Sequence, residues 1–162
     1  MTDPTADERW MDMALEDARQ AALEGEVPVG CVMVDDKTGT VLARAHNLRE
    51  ALEDPTAHAE VLAMRQAAAV RGSWRLDGVT AYVTLEPCAM CAGALVNGRI
   101  ARVVYGCDDP RAGALRSLYT LGSDVRLNHR YPFTHGVRAE ACAAELKAFF
   151  LALRTRRSAA RG

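Results

Sequence analysis

The sequence predicts an α/β fold: a three-layer α/β/α sandwich around a mixed, mostly parallel five-stranded sheet. Three observations carry that expectation. Runs rich in β-branched residues at Val79–Leu85 and Arg102–Gly106 are separated by apolar helical segments, the pattern of strand, helix, strand crossovers and so of strands sharing a direction. Helical patterns also open and close the chain. Finally, 162 residues with 49% hydrophobic and 25% charged side chains suffice for one buried core but not two.

Taken in order, Met11, Leu15, Ala18 and Ala22 recur at helical spacing, so Asp7 to about Glu24 reads as an amphipathic helix stopped by Gly25 and Pro28. Val29 to Val34 is a strand. Asp35 to Gly39 is turn chemistry, and the alternation from Val41 to Asn47 makes a hairpin with it. Ala57 to Val70 is apolar almost all round, as in a buried helix, with Asp54 or Thr56 as its cap. Val79 to Leu85 is a strand, Cys88 to Asn97 a buried helix opened by Pro87, and Arg102 to Gly106 a further strand. A short helix is expected near Leu115 to Leu121. Phe133 to Val137 is the last strand, confined to a sheet edge because Pro132 removes a ladder donor. Glu140 to about Arg156 closes the chain, with Cys142, Leu146, Phe149 and Leu153 on one stripe. Residues 1–157 are thus expected to form one domain and 158–162 a disordered basic tail.

Composition narrows the function. The balance of apolar and charged residues excludes a disordered chain. The longest apolar stretch, Val27 to Val34, is far shorter than the ~18 residues of a membrane span. Met1 to Trp10 is acidic and lacks the pattern of a secretory leader, which points to the cytoplasm. Five cysteines in a reducing compartment suit metal binding or burial better than a disulfide framework; Cys31, Cys107 and Cys142 read as small buried hydrophobes. The net charge of −1 hides an asymmetry: through Glu26, eight acids face only Arg9 and Arg19, whereas after Glu145 come Lys147, Arg154, Arg156, Arg157 and Arg161 with no acid. That basic end either reaches phosphates or is a solvated helix end.

The chemistry is concentrated in His58-Ala59-Glu60 and Pro87-Cys88-Ala89-Met90-Cys91, which open the two buried helices. Cys88 and Cys91, three apart on a first turn, aim their sulfurs the same way, where unpaired N–H groups and the helix dipole favour thiolates. With His58 they supply three of the four ligands that zinc takes, leaving one position for water, the catalytic rather than the structural arrangement. Glu60 is then free to carry protons while a zinc-bound hydroxide attacks an sp² carbon. A lone C-x-x-C also serves redox and structural zinc roles, and His46, His129 and His135 remain outside this set; His46 lies either by the pocket mouth or outward on its strand.

The H-x-E and P-C-x-x-C pair is the signature of zinc-dependent nucleobase deaminases. With Glu26–Gly30, Asp54–Glu60, Val83–Ala94 and Leu127–Arg130, the chain resembles the bacterial tRNA-specific adenosine deaminases of the cytidine/deoxycytidylate deaminase superfamily, from the first helix to Phe149-Phe150. The resemblance implies a cytidine-deaminase fold, one Zn²⁺ per chain, a homodimer, and hydrolysis of adenosine to inosine at the wobble position of a tRNA anticodon stem-loop. It assigns His58, Cys88 and Cys91 to zinc, Glu60 to proton transfer and Asn47 to the base. It sets Asp109 near the flipped nucleotide, and Phe149 and Arg154 toward the stem-loop. The segment Gly113-Ala114-Leu115-Arg116-Ser117 departs from the family, with arginine where glycine is usual. Two other readings stay open: a deaminase of a free base or nucleotide, guanine or cytosine, and a non-catalytic zinc-stabilised RNA-binding module. An unliganded Glu60 beside the ligands speaks against the second, and histidine at position 58 speaks against free-cytidine deaminases.

Overall fold

The computed structural model describes residues 4–162; residues 1–3 of the acidic amino-terminal stretch lie outside the described residues. Five strands, β1 Gly30–Asp35, β2 Val41–His46, β3 Val79–Leu85, β4 Arg102–Cys107 and β5 Phe133–Thr134, form one sheet in the order β2-β1-β3-β4-β5. β1 is antiparallel to β2 and β3, whereas β3–β4 and β4–β5 are parallel. Four strands therefore share a direction and β1 alone is reversed. Only two of the four ladders are parallel, because the hairpin folds back so that its first strand, not its second, meets β3.

Strand alternation sorts the side chains into two layers of core. Cys31, Met33, Ala81, Val83, Val103 and Tyr105 pack against α2 (Ala59–Arg71) and α3 (Ala89–Asn97) through Ala63, Ala67, Ala92 and Leu95. The alternate positions Val32, Val34, Tyr82 and Val104 meet Met11, Ala14 and Leu15 of α1 (Pro4–Leu23) and Cys142 of α4 (Ala139–Ala160). α1 lies so close to β1 that a side chain at Gly30 would run into the backbone of Ala14 and Ala18. Among the described residues no helix is long and apolar enough to cross a membrane.

Several local expectations are corrected. Asp54 does not cap α2. Its Oδ1 accepts hydrogen bonds from Thr56 N at 2.8 Å and Thr56 Oγ1 at 2.7 Å, a local turn, and the N-cap position falls to His58. The helix expected near Leu115 to Leu121 is absent: Ser117 N donates to the Glu86 carboxylate, Leu121 N reaches back to Ala114 O, and only a 3₁₀ turn, Leu121–Ser123, forms. β5 is an edge strand, as Pro132 requires, but two residues long. α4 continues to Ala160, so three residues of the segment read as a tail extend the helix, with alanines that favour it.

Candidate active site

The ends of β2 and β3 and the starts of α2 and α3 converge on a pocket of about 220 Å³ lined by His58, Glu60, Cys88, Asn47, Arg49 and Asp109, among others. Its floor follows from how the two helices begin. After Thr56 and after Pro87 the backbone is extended, with φ −71° and ψ 151° at His58 and φ −72° and ψ 175° at Cys88, before turning helical. Both residues are N-caps, yet neither side chain makes a capping hydrogen bond. Imidazole and thiol are left to face one another.

The ligating atoms of His58, Cys88 and Cys91 all lie within 4.8 Å of one another, and this is the only such group of three among the described residues. His58 Nδ1 stands 3.6 Å from Cys88 Sγ and 3.5 Å from Cys91 Sγ. A tetrahedral zinc with ordinary Zn–S and Zn–N bonds, about 2.3 and 2.0–2.1 Å, spaces sulfur and nitrogen by about 3.6 Å, so the donors fit that ion. The three groups share protons. Hydrogen bonds from Cys91 and His58 hold the Cys88 thiol down to about 4, while the same bond to Cys88, with burial, pushes Cys91 up. The hydrogen bond with Cys88 raises His58. Loading a metal must therefore displace the Cys91 proton. The remaining histidines are engaged elsewhere: His46 with Glu24 at 2.8 Å, His129 with Ile100 O at 2.7 Å, and His135 with Arg116 at 3.1 Å.

Glu60 sits in the first turn of α2, 3% exposed, where burial raises its pKa above the usual carboxylate range. Asn47 directly follows β2, with its amide fixed at both ends: Nδ2 donates to Val27 O at 3.4 Å and Oδ1 accepts from Arg49 N at 3.2 Å. Asp109 follows β4, its Oδ1 accepting from Arg111 N at 3.0 Å and Ala112 N at 3.2 Å. Phe149 and Arg154 lie outside the pocket. They line an adjoining groove with Arg157 of α4 that opens onto Asn47 and Arg49.

Sequence reasoning passed over three residues. Arg49 is an exposed cation on both pocket and groove, and nothing in its spacing marks it. Glu26 and Glu86 are the other two, each 1% exposed. Glu26 accepts from Ala51 N at 2.7 Å and Glu50 N at 3.1 Å and so holds the loop after β2. An acid embedded in an apolar run, as in Val83-Thr84-Leu85-Glu86-Pro87, was the available signal of a buried carboxylate with work to do.

Comparison with known proteins gives a consistent picture. Residues 4–107 match the cytidine and deoxycytidylate deaminase zinc-binding region. A tRNA-specific adenosine deaminase of Bacillus subtilis is 46% identical over 157 residues, 97% of this chain and 96% of its own. One from Haemophilus influenzae is 45% identical over 144 residues, 89% and 83% of the two chains. A solved structure described as a study of A-to-I editing by tRNA:A34 deaminases at the wobble position of transfer RNA superposes with a TM-score of 0.81 at 41% identity, over 85% of this chain and 99% of that one.

Proposed function

The chain belongs to the cytidine and deoxycytidylate deaminase family, and from that premise we propose that it is a zinc-dependent deaminase converting adenosine to inosine at the wobble position of a tRNA anticodon. The observation that carries the reading is the conjunction of three donors at zinc spacing, two of them, His58 and Cys88, lining the pocket, with a buried carboxyl on the same pocket that is not one of them. Relatives named for this activity at 46% and 45% identity support the substrate.

His58, Cys88 and Cys91 would hold the ion, which when bound supplies the acidity that makes water a nucleophile at neutral pH. The reaction adds water at the amidine carbon of the adenine ring and expels ammonia. Glu60 takes one proton from the water and gives it to the ring nitrogen; it then takes the proton of the newly added hydroxyl and gives it to the amine, so that the C–N bond breaks, the carbonyl forms and ammonia leaves. Its burial favours the protonated intermediate state in this relay. Asn47 offers a donor and an acceptor to an adenine edge, and being tied to Val27 and Arg49 it does so without choosing a rotamer first. Asp109 forms the facing wall, and Phe149 and Arg154 receive the flanking nucleotides in the groove.

The same reading makes the chain one domain that includes α4 to Ala160, a cytoplasmic location the natural one for a tRNA substrate, and a homodimer the working unit. Met90 on α3 and Leu118, Tyr119 and Val125 beyond it expose apolar side chains that such an interface would cover. The test is to incubate the zinc-loaded protein with total tRNA and sequence for adenosine-to-inosine changes. Inosine confined to anticodon wobble positions is expected. Unmodified tRNA, with ammonia released instead from guanine, cytosine or their nucleotides, overturns the proposal.

A further inference from the structure

We propose that Glu86 is a positioning residue: its buried carboxylate clamps the 108–117 segment so that Asp109 and Ala112 stand against the pocket. The kinetic part of the test rests on the deaminase reading; the structural part does not.

The 108–117 segment contains no helix or strand; its own bonds are local turns, with Gly113 N donating to Asp109 O at 2.9 Å, and an exposed pair of Arg116 with Asp108 at 3.0 Å. Both of its ends converge on one pair of side chains. At the far end, Ser117 donates twice to Glu86 Oε1, from N at 3.2 Å and from Oγ at 2.9 Å. At the near end, Asp108 Oδ1 lies 2.9 Å from the Tyr105 hydroxyl, which is also 3.1 Å from Glu86 Oε1. Glu86 itself is anchored to the sheet, its N donating to Cys107 O at 2.9 Å. Its second oxygen, Oε2, has no hydrogen-bond partner among the described residues and occupies the space that a side chain at Gly113 would need.

A buried carboxylate is costly unless its bonds are made, and an apolar side chain would fill this space at less cost. What Glu86 provides in exchange is direction, because two donors from Ser117, with the Tyr105 hydroxyl shared between Oε1 and Asp108, fix where Ser117 and Tyr105 lie. The loop between them then has a set span. Inside it, the Asp109 carboxylate already turns back onto Arg111 and Ala112, so the turn is preformed and needs only to be held against the pocket. Gly113 belongs to the same device, its Cα packed where Oε2 sits, with Ala114 N donating to Pro87 O at 2.8 Å beside it.

The test compares zinc-loaded full-length protein with Glu86→Ala, Glu86→Gln, Ser117→Ala and Gly113→Ala, measuring amide hydrogen exchange along 108–118, zinc content, and kcat and KM on an anticodon stem-loop. Glu86→Ala should speed exchange at Ser117 and its neighbours and raise KM, each by about tenfold, the effect of one hydrogen bond to a charged group, with one zinc per chain retained and kcat little changed. Glu86→Gln keeps an acceptor oxygen and should restore protection and KM. Gly113→Ala, which displaces Oε2 without altering Glu86, should reproduce Glu86→Ala. If Glu86→Ala does not fold, Ser117→Ala carries the same expectation from the loop side of the clamp. Wild-type exchange and KM in a folded variant lacking the Glu86–Ser117 bonds overturns the proposal, as does a glutamine that rescues nothing. A wild-type protein with no activity on tRNA would sink the deaminase reading and leave the exchange data to decide Glu86.

Discussion

Arg154 and Arg157 lie three residues apart on α4 and so share a face, and both line the groove that opens onto Asn47 and Arg49; Arg156, between them, does not line it. If each of the two meets one phosphate of a single-stranded loop, replacing both by glutamine makes the slope of log affinity against log salt shallower by about 1.4, since each phosphate contributes about 0.7. Extrapolated lines should then converge near 1 M salt, and at 0.1 M the variant should bind about 25-fold more weakly. The same substitution at Arg156 should change the slope by less than about 0.3. Anisotropy titrations of a labelled anticodon stem-loop at four or more salt concentrations give the slopes. Equal slopes for wild type and the double variant would show that this end of α4 is only solvated. Equal effects of Arg156 and the pair would show a diffuse field with no groove contact.

Three further outcomes are expected. Glu60→Ala should keep its zinc and lose at least about a hundredfold in turnover, the contribution of a positioned proton carrier; metal analysis beside the assay checks it, and loss of zinc would make Glu60 a ligand. Cys88→Ala should lower both zinc content and melting temperature, because the bond it removes exists only in the folded chain; full zinc occupancy would mean the ligand set is wrong. Gly30→Ala sets a methyl against the backbone of Ala14 and, at 2.8 Å, of Ala18 N, neither of which can turn aside. A loss of about 2–3 kcal/mol, or about 5–10 °C in melting temperature, should follow, and an unchanged midpoint would show that α1 can move off β1.

The chemistry was more legible in the sequence than the architecture around it. β3 runs over Val79–Leu85, as its β-branched pattern predicts, and the helices after it and after Ala57 begin where the H-x-E and P-C-x-x-C residues stand. Such signals are local: a strand's period or a pair of cysteines on one turn can be read from neighbours alone. What could not be read depends on distant partners. Nothing in residues 30–46 says which strand of the hairpin will meet β3. Leu115 to Leu121 has the composition of a helix, but its backbone donors are drawn off by Glu86 and Ala114. Asp54 looks like a cap until Thr56 engages it first. What Glu26 and Glu86 hold in place could be read only once their partners were in view.

His58 and Cys88 hold positions where helices favour a serine, threonine, aspartate or asparagine, and neither makes a side-chain capping hydrogen bond. A conventional cap at such a site contributes about 1 kcal/mol. Selection of variants for heat resistance alone, with metal withheld, would therefore reward Cys88→Asp or His58→Asn, and each gain would dismantle the ligand set. This chain is held away from its own stability optimum at two residues, and the distance is the cost of keeping two side chains turned outward toward an ion.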